Sequence, residues 1–220
     1  FLKSLLMEAD FRGAKVIGGD FSSSRMSELC GMEAEFSDCK FSGADLRGSY
    51  LIGSRCVGCD FSDSDLSEVN GYDQLMNHRS GVKAGPFHNV DFEGCAFVRC
   101  YAIQSRFSKA KMTNCNFQWA MMMEIKLDEA DLSGSSGDGA NFRQASMVRS
   151  NLSKFKGSNV VFLKADLSGA NLSQSQVDHG HFQAAKMTGA CLMECKGVAA
   201  SFARAELQEA NLVKAEFPEA

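Results

Sequence analysis

The chain has 220 residues and a net charge of −4, with acidic and basic side chains mixed along its length. There is no basic excess to favour phosphate-backbone binding, and the mild acidity is too small for a strong polyanion mimic. No stretch reaches the roughly 18 apolar residues that a membrane span requires, and the two prolines mark no evident linker.

From Leu6 onward a large apolar residue recurs at every fifth position, through Phe11, Val16, Phe21, Met26, Phe36, Phe41, Leu46, Leu51, Phe61 and Leu66, with Gly31 and Cys56 in the same phase. We call these the central residues. Two positions before each centre sits a small residue, as in Ala9, Ala14, Ala34, Ala44 and Ser64, and the residue between is polar, often Asp10, Asp45 or Asp65. A period of five fits neither an α-helix nor a flat strand. It needs a chain that turns after every few residues, and the Gly, Ser, Asp and Asn between centres tolerate such turns. A second period of 20 lies on top, because Phe21, Phe41 and Phe61 are 20 apart. Four units per coil would stack equivalent side chains at about the strand spacing of 4.8 Å, and a ladder of phenylalanines is the expected result.

Between Leu66 and Phe87 the phase slips by one residue. One coil plus a single insertion accounts for it, placed near 77–82, and predicts one irregular coil over about 67–86 rather than a domain boundary. The ladder would then run Phe61, Val82, Ala102, Met122, Phe142. From Phe87 the period is unbroken to Phe217, with Phe142, Phe162, Phe182 and Phe202 again 20 apart. Residues 1–220 read as one solenoid domain.

The units Ala44-Asp45-Leu46-Arg47-Gly48, Ala130-Asp131-Leu132-Ser133-Gly134, Ala165-Asp166-Leu167-Ser168-Gly169 and Ala170-Asn171-Leu172-Ser173-Gln174 resemble the A(D/N)LXX pattern of the pentapeptide-repeat proteins. The resemblance covers about residues 4–220. It implies an all-β, right-handed quadrilateral β-helix of about 11 coils and about 50 Å, with the centre and the small residue inward and the other three positions outward. A large and a small residue must alternate to fill so narrow a bore. The end coils need cover, by a partner, a further segment or an end-to-end contact. The chain opens at Phe1 and closes inside the pattern, which reads as a processed or partial chain.

Several residues are candidates for chemistry. Six of the nine cysteines, Cys39, Cys59, Cys95, Cys100, Cys115 and Cys195, fall in the small inward slot, where Cys acts as a small hydrophobe. Cys39 and Cys59, and likewise Cys95 and Cys115, are 20 apart, so a disulfide or redox role stays open. With no C-x-x-C spacing, zinc is not indicated. Outward Cys30 and Cys191 favour a reducing compartment. His179 and His181 should be parted by a turn, and His78 lies in the inserted stretch. The Asp and Asn array is the solvated outer layer, and no pocket is apparent to shift a carboxylate pKa. We therefore expect no enzyme, no cofactor and no metal. One outward column is read as Arg25, Asp45, Asp65, Arg106, Lys126, Asp166, Lys186 and Glu206, a mixture of signs.

The departure from the pattern lies around 101–123. Outward positions there hold Tyr101, Ile103, Met121 and Met123, followed by Val161 and Leu163, and Trp119 stands at the corner leading into that face. Such a patch marks an interaction site. The function read from this is a non-catalytic protein-binding scaffold or assembly subunit, with a protein partner, no direct nucleic-acid binding and no membrane span. What the resemblance adds is two alternatives, a DNA-mimic topoisomerase (gyrase)-protecting protein and a thylakoid-lumen or photosynthetic-complex protein. The compartment is read as soluble and cytoplasmic, with the thylakoid lumen or chloroplast as the alternative.

Overall fold

Each five-residue unit makes a short extended segment and a four-residue turn, and the turn is dictated by the backbone. The turn begins at a centre, as in the Ala14 N–H to Phe11 carbonyl bond of 2.9 Å. Its third residue holds a positive φ, near 57° at Glu28 and 66° at Gly48. Glycine is at no disadvantage there, which explains the Gly that closes several repeats.

The remaining amides reach the neighbouring coil. In each unit the N–H groups of the centre, the positive-φ residue and the residue before the centre all pair between coils, as in Met26 to Asp45 O (2.7 Å), Glu28 to Arg47 O (2.8 Å) and Arg25 to Ser4 O (2.9 Å). Only the residue just after the centre has no backbone acceptor. The Asp or Asn of the repeat supplies one: Asp20 Oδ1 accepts from Ser22 N–H, Asp131 from Ser133 and Asn171 from Ser173, each at 3.0 Å. The conspicuous Asx of the pattern is thus a local cap for an orphaned donor.

The computed structural model describes residues 1–51, 54–69 and 91–220. They form a right-handed quadrilateral β-helix in which residues 20 apart pair in parallel. Among the described residues only β1 (Lys15–Ile17), β2 (Glu35–Ser37) and β3 (Arg55–Val57) are long enough to count as strands, and they lie side by side in register. We number the faces by their centres. Face 1 carries Phe21, Phe41 and Phe61, face 2 carries Met26, Leu46 and Leu66, face 3 carries Gly31 and Leu51, and face 4 carries Phe36 and Cys56.

Both inward positions are buried, as expected, and join in one continuous core from Phe21 to Cys195. Phe21, Phe41 and Phe61 stack with centroids 5.0 and 4.8 Å apart. Phe142, Phe162, Phe182 and Phe202 stack at 5.3, 5.0 and 4.8 Å.

The register across the phase slip differs from the single-insertion reading. Arg55 pairs with Asp91, Asp60 with Ala96 and Asp65 with Tyr101, an offset of 36 residues, sixteen more than one coil. Residues 77–82 lie outside the described residues, but no coil is interposed between 55–69 and 91–105. Ser67, Glu68 and Val69, assigned to the irregular coil, hold ordinary turn positions. Phe61 therefore stacks on Phe97 at 5.3 Å, and Phe97 on Phe117 at 5.3 Å. The ladder through Val82 to Phe142 does not form. The Phe column of face 1 ends at Phe117 and a second begins on face 2 at Phe142, the two meeting edge-on at 6.2 Å.

Face 1 continues with Gly137 and Gly157, and the missing volume is returned from the small slot. Phe155 occupies that slot and is buried. A Cβ on Gly137 would come within 2.7 Å of its ring and one on Gly157 within 2.8 Å. Leu29 and Gly31 make the same exchange on a smaller scale, with 3.3 Å between the Leu29 Cδ2 and a Cβ on Gly31. We expect Gly157→Leu to destabilise by about 1–3 kcal/mol through overpacking and Phe155→Ala by about 3–5 kcal/mol through the cavity. Joined in one chain they should cost less than their sum. Urea denaturation of the four proteins measures this, and strict additivity would show that the two sites do not share one space.

Candidate functional site

The 36-residue offset rearranges the outer columns. On face 2 the column before the centres runs Arg25, Asp45, Asp65, Tyr101, Met121, Asn141, Val161, His181, Ser201. The column expected to lead from Asp65 to Arg106 is not formed. Arg106 belongs to face 3, where it pairs with Lys126, then Ser146, Asp166, Lys186 and Glu206.

All seven residues expected in the apolar patch fall on face 2 or its entering corner. Tyr101 and Met121 are neighbours on successive rungs. Ile103 and Met123 follow the same two centres, with the Gln104 N–H to Met123 carbonyl bond (3.0 Å) fixing their alignment. Val161 and Leu163 lie two rungs beyond, separated by Asn141 and Arg143. Asn141 keeps the usual cap on Arg143 N–H at 3.0 Å, whereas Tyr101, Met121 and Val161 cannot cap. The patch is thus two adjacent apolar rungs and a third one set apart. Tyr101 and Trp119 are 48% and 55% exposed, and the other five are half-buried.

Trp119 holds a φ of 59° at the corner between faces 1 and 2. Its indole covers Gly139 of the next coil, where an added Cβ would overlap the ring carbons Cε3 and Cζ3. The ring is what holds this position to glycine, since its φ of 64° is close to those that Glu28 and Trp119 adopt at the same turn position.

Polar groups border the patch. Toward the N-terminal coils Arg47 pairs with Asp45 at 2.7 Å and Asp65 at 3.8 Å. At the far end His181 meets Gln183 at 3.4 Å. On the corner toward face 3, Gln104 donates to Glu124 at 2.9 Å, and beyond it Tyr50, Glu68, Arg106 and Lys126 line an open groove. Elsewhere opposite charges pair between coils, as in Lys15–Glu35 (3.0 Å), Arg55–Asp91 (3.6 Å) and Arg99–Asp63 (2.7 Å). These are exposed pairs and contribute little stability each. Their effect is to cancel charge along the tube.

A family model of pentapeptide repeats matches eight copies over residues 32–67, 87–122, 123–154, 138–174 and 162–196. The chain is a pentapeptide-repeat protein. No curated protein matches it. Among solved structures, this pentapeptide-repeat protein is similar to HetL, involved in heterocyst differentiation regulation in the cyanobacterium Nostoc. The identity is 17%, the TM-score 0.40, and 96% of this chain and 89% of that one are covered. It is also similar to QnrB1, a plasmid-mediated fluoroquinolone resistance protein, at 17% identity and TM-score 0.40, over 97% and 91% of the two chains. A pentapeptide-repeat protein of the Arabidopsis thaliana thylakoid lumen aligns at 17% identity and TM-score 0.19, over 70% and 66%. No helix among the described residues is long and apolar enough to cross a membrane.

All nine cysteines are free thiols, and the six in the small slot are buried as expected. Cys30 and Cys191, expected to be exposed, are half-buried. Burial pushes the thiols of Cys39 and Cys195 up to about 11 and that of Cys115 to about 12. No set of three or more His, Cys, Asp or Glu among the described residues is arranged to chelate a metal.

Two outcomes follow from this geometry. Gly139→Ala should displace the indole of the single tryptophan and destabilise by about 1 kcal/mol through its positive φ. Its fluorescence emission should shift to the red, and an unchanged spectrum would contradict the contact. Thiol pKa values raised in the folded state hold stability in full below pH 9 and lose it as pH climbs through 11–12. The denaturation midpoint should fall over that window, and less steeply in a Cys39→Ser/Cys115→Ser/Cys195→Ser variant. Parallel curves for the two proteins would refute the assignment.

Proposed function

We propose that this pentapeptide-repeat protein is a non-catalytic scaffold that docks a protein partner on the apolar rungs of face 2. The observation that carries the reading is the adjacency of Tyr101 and Met121 on successive rungs, with Ile103 and Met123 beside them and Trp119 at the corner. Aromatic and Met side chains suit the centre of an interface, and the bordering Asp45–Arg47–Asp65 cluster and Gln104–Glu124 pair supply a polar rim. A rigid coil stack loses little conformational entropy when it binds. Alternation of charge between coils, as at Lys15–Glu35 and Arg55–Asp91, speaks against imitation of a duplex with its uniform negative charge.

The test begins with crosslinking mass spectrometry on native extract, reading crosslinks from Lys164, on the corner bordering the patch, and Lys126, just beyond it on face 3. Against the partner so identified, Met121→Glu and Tyr101→Ala should each weaken binding by at least about tenfold. Asn171→Asp on face 4 should leave it unchanged. Full affinity in both face 2 variants, with circular dichroism showing intact folds, would exclude this surface. Gyrase protection at stoichiometric amounts would favour the DNA-mimic reading instead.

A further inference from the structure

The small slot of face 1 runs Gly19, Cys39, Cys59, Cys95, Cys115, Ser135, Phe155, Ser175, Cys195. The sequence spacing shows Cys39–Cys59 and Cys95–Cys115 as two separate pairs. The 36-residue offset joins them. Asp60 N–H bonds the Cys39 carbonyl (2.9 Å), Ala96 the Cys59 carbonyl (3.0 Å) and Asn116 the Cys95 carbonyl (3.0 Å). Four thiols therefore stand on four consecutive rungs, each buried. Cys56, the buried centre of face 4, lies beside them, and its carbonyl accepts from Cys95.

The slot itself does not call for sulfur. On faces 2 and 3 the same position holds serine at Ser24 and Ser49, and there its hydroxyl makes the same bond that the thiols make. Ser49 donates to the Met26 carbonyl at 3.0 Å, and on face 1 Ser135 donates to Met112 at 2.8 Å. Cys59 donates to Phe36 at 3.4 Å and Cys115 to Phe92 at 2.9 Å. Each thiol thus spends its proton on the coil below. What four consecutive sulfurs add over serines is a run of soft lone pairs in a dry bore.

Two constraints select what such a run could hold. The first is length. Two metal–sulfur bonds of about 2.3 Å laid end to end span about 4.6 Å, close to the rung spacing of about 4.8 Å. A linear S–metal–S bridge fits between neighbouring rungs without moving the backbone, and a tetrahedral four-sulfur cage does not. The second is charge. An uncompensated charge in an apolar bore is costly. A monovalent cation leaves the site neutral by displacing one thiol proton, whereas a divalent ion must displace two and so needs two buried thiolates.

We propose that the Cys39–Cys59–Cys95–Cys115 column is a binding site for a monovalent thiophilic d10 cation of the Cu(I)/Ag(I) class, held linearly between sulfurs of adjacent rungs, with Cys59 and Cys95 each having a thiol on either side. Binding releases one proton from sulfur per ion. Soft thiolates favour such ions over zinc when the tetrahedral geometry is missing.

The test uses the full chain with the two half-buried thiols removed, as Cys30→Ser/Cys191→Ser, reduced and in chloride-free buffer. Ag(I) is the probe. Titration followed by native mass spectrometry and sulfur-to-metal absorbance should show ions bound to the folded chain, with a raised thermal midpoint and a tenfold gain in affinity per pH unit from the single proton released. Adding Cys59→Ser/Cys95→Ser, which leaves no two thiols of the column on adjacent rungs and keeps hydroxyl donors for the Phe36 and Cys56 carbonyls, should lower affinity by at least about tenfold. Cys100→Ser and Cys195→Ser, which remove buried thiols outside the run, should change nothing. Equal affinity in Cys59→Ser/Cys95→Ser, loss of binding in Cys195→Ser, uptake only by the unfolded chain, or no uptake at all would each overturn the assignment.

Discussion

Every feature of this molecule depends on one constraint, the parallel hydrogen bonding that sets each residue on top of the one a coil earlier. Because the pairing is in register, a column of equivalent side chains repeats at the strand spacing. The four faces share one narrow bore, so volume must balance across a rung rather than within a residue. Phe155 shows how strictly. It stands in a slot that otherwise takes Ala, Ser, Cys, Gly, Ile, Val or Leu, and it fits because Gly137 and Gly157 vacate the neighbouring column. The Phe column moves from face 1 to face 2 at this level because the bore takes one such stack at a time.

The same pairing explains the surface. Three amides of each unit go to the adjacent coil and one to the turn, which leaves a single donor for Asp or Asn to cap. The cap is local, confined to one unit. Losing it exposes one N–H to water at the rim of the tube and leaves the stack intact. A rung is therefore free to replace the Asx with Tyr101, Met121 or Val161 without altering the backbone bonds, which remain at 2.9 Å for Tyr101 to Ser64 and for Ala102 to Met121. Fold and surface chemistry are thus nearly independent.

Much of this was legible from residue order. The five-residue period placed Phe21, Ala44, Cys39 and Leu132 inward, and all are buried. The patch residues also fell together, because Tyr101 through Leu163 lie on one side of the phase slip and their spacing is unaffected by it. What periodicity could not give was the length of that slip. One residue and sixteen leave the five-residue pattern in the same phase, since fifteen is three whole units. Only the pairing of Arg55 with Asp91 distinguishes them. Choosing one instead of sixteen rotated the C-terminal part by one face. That displaced Arg106 from face 3 to face 2, ran the Phe ladder into Phe142, and separated Cys59 from Cys95.

The position of the slip is itself informative. In a repeat stack each coil contacts only its neighbours, so the ladder can close directly from Asp65 onto Tyr101 whatever length of chain separates them. Closing a longer connection adds only a small, logarithmic entropy cost. Breaking the ladder would instead cost several backbone bonds and open the bore. Extra residues are thus tolerated between units and excluded within a rung. The closure also sets unlike surfaces edge to edge, with the charged rungs of Asp45 and Asp65 directly below the apolar rungs of Tyr101 and Met121. The juxtaposition that gives face 2 its polar border, and the one that aligns four thiols inside, arise from the same join.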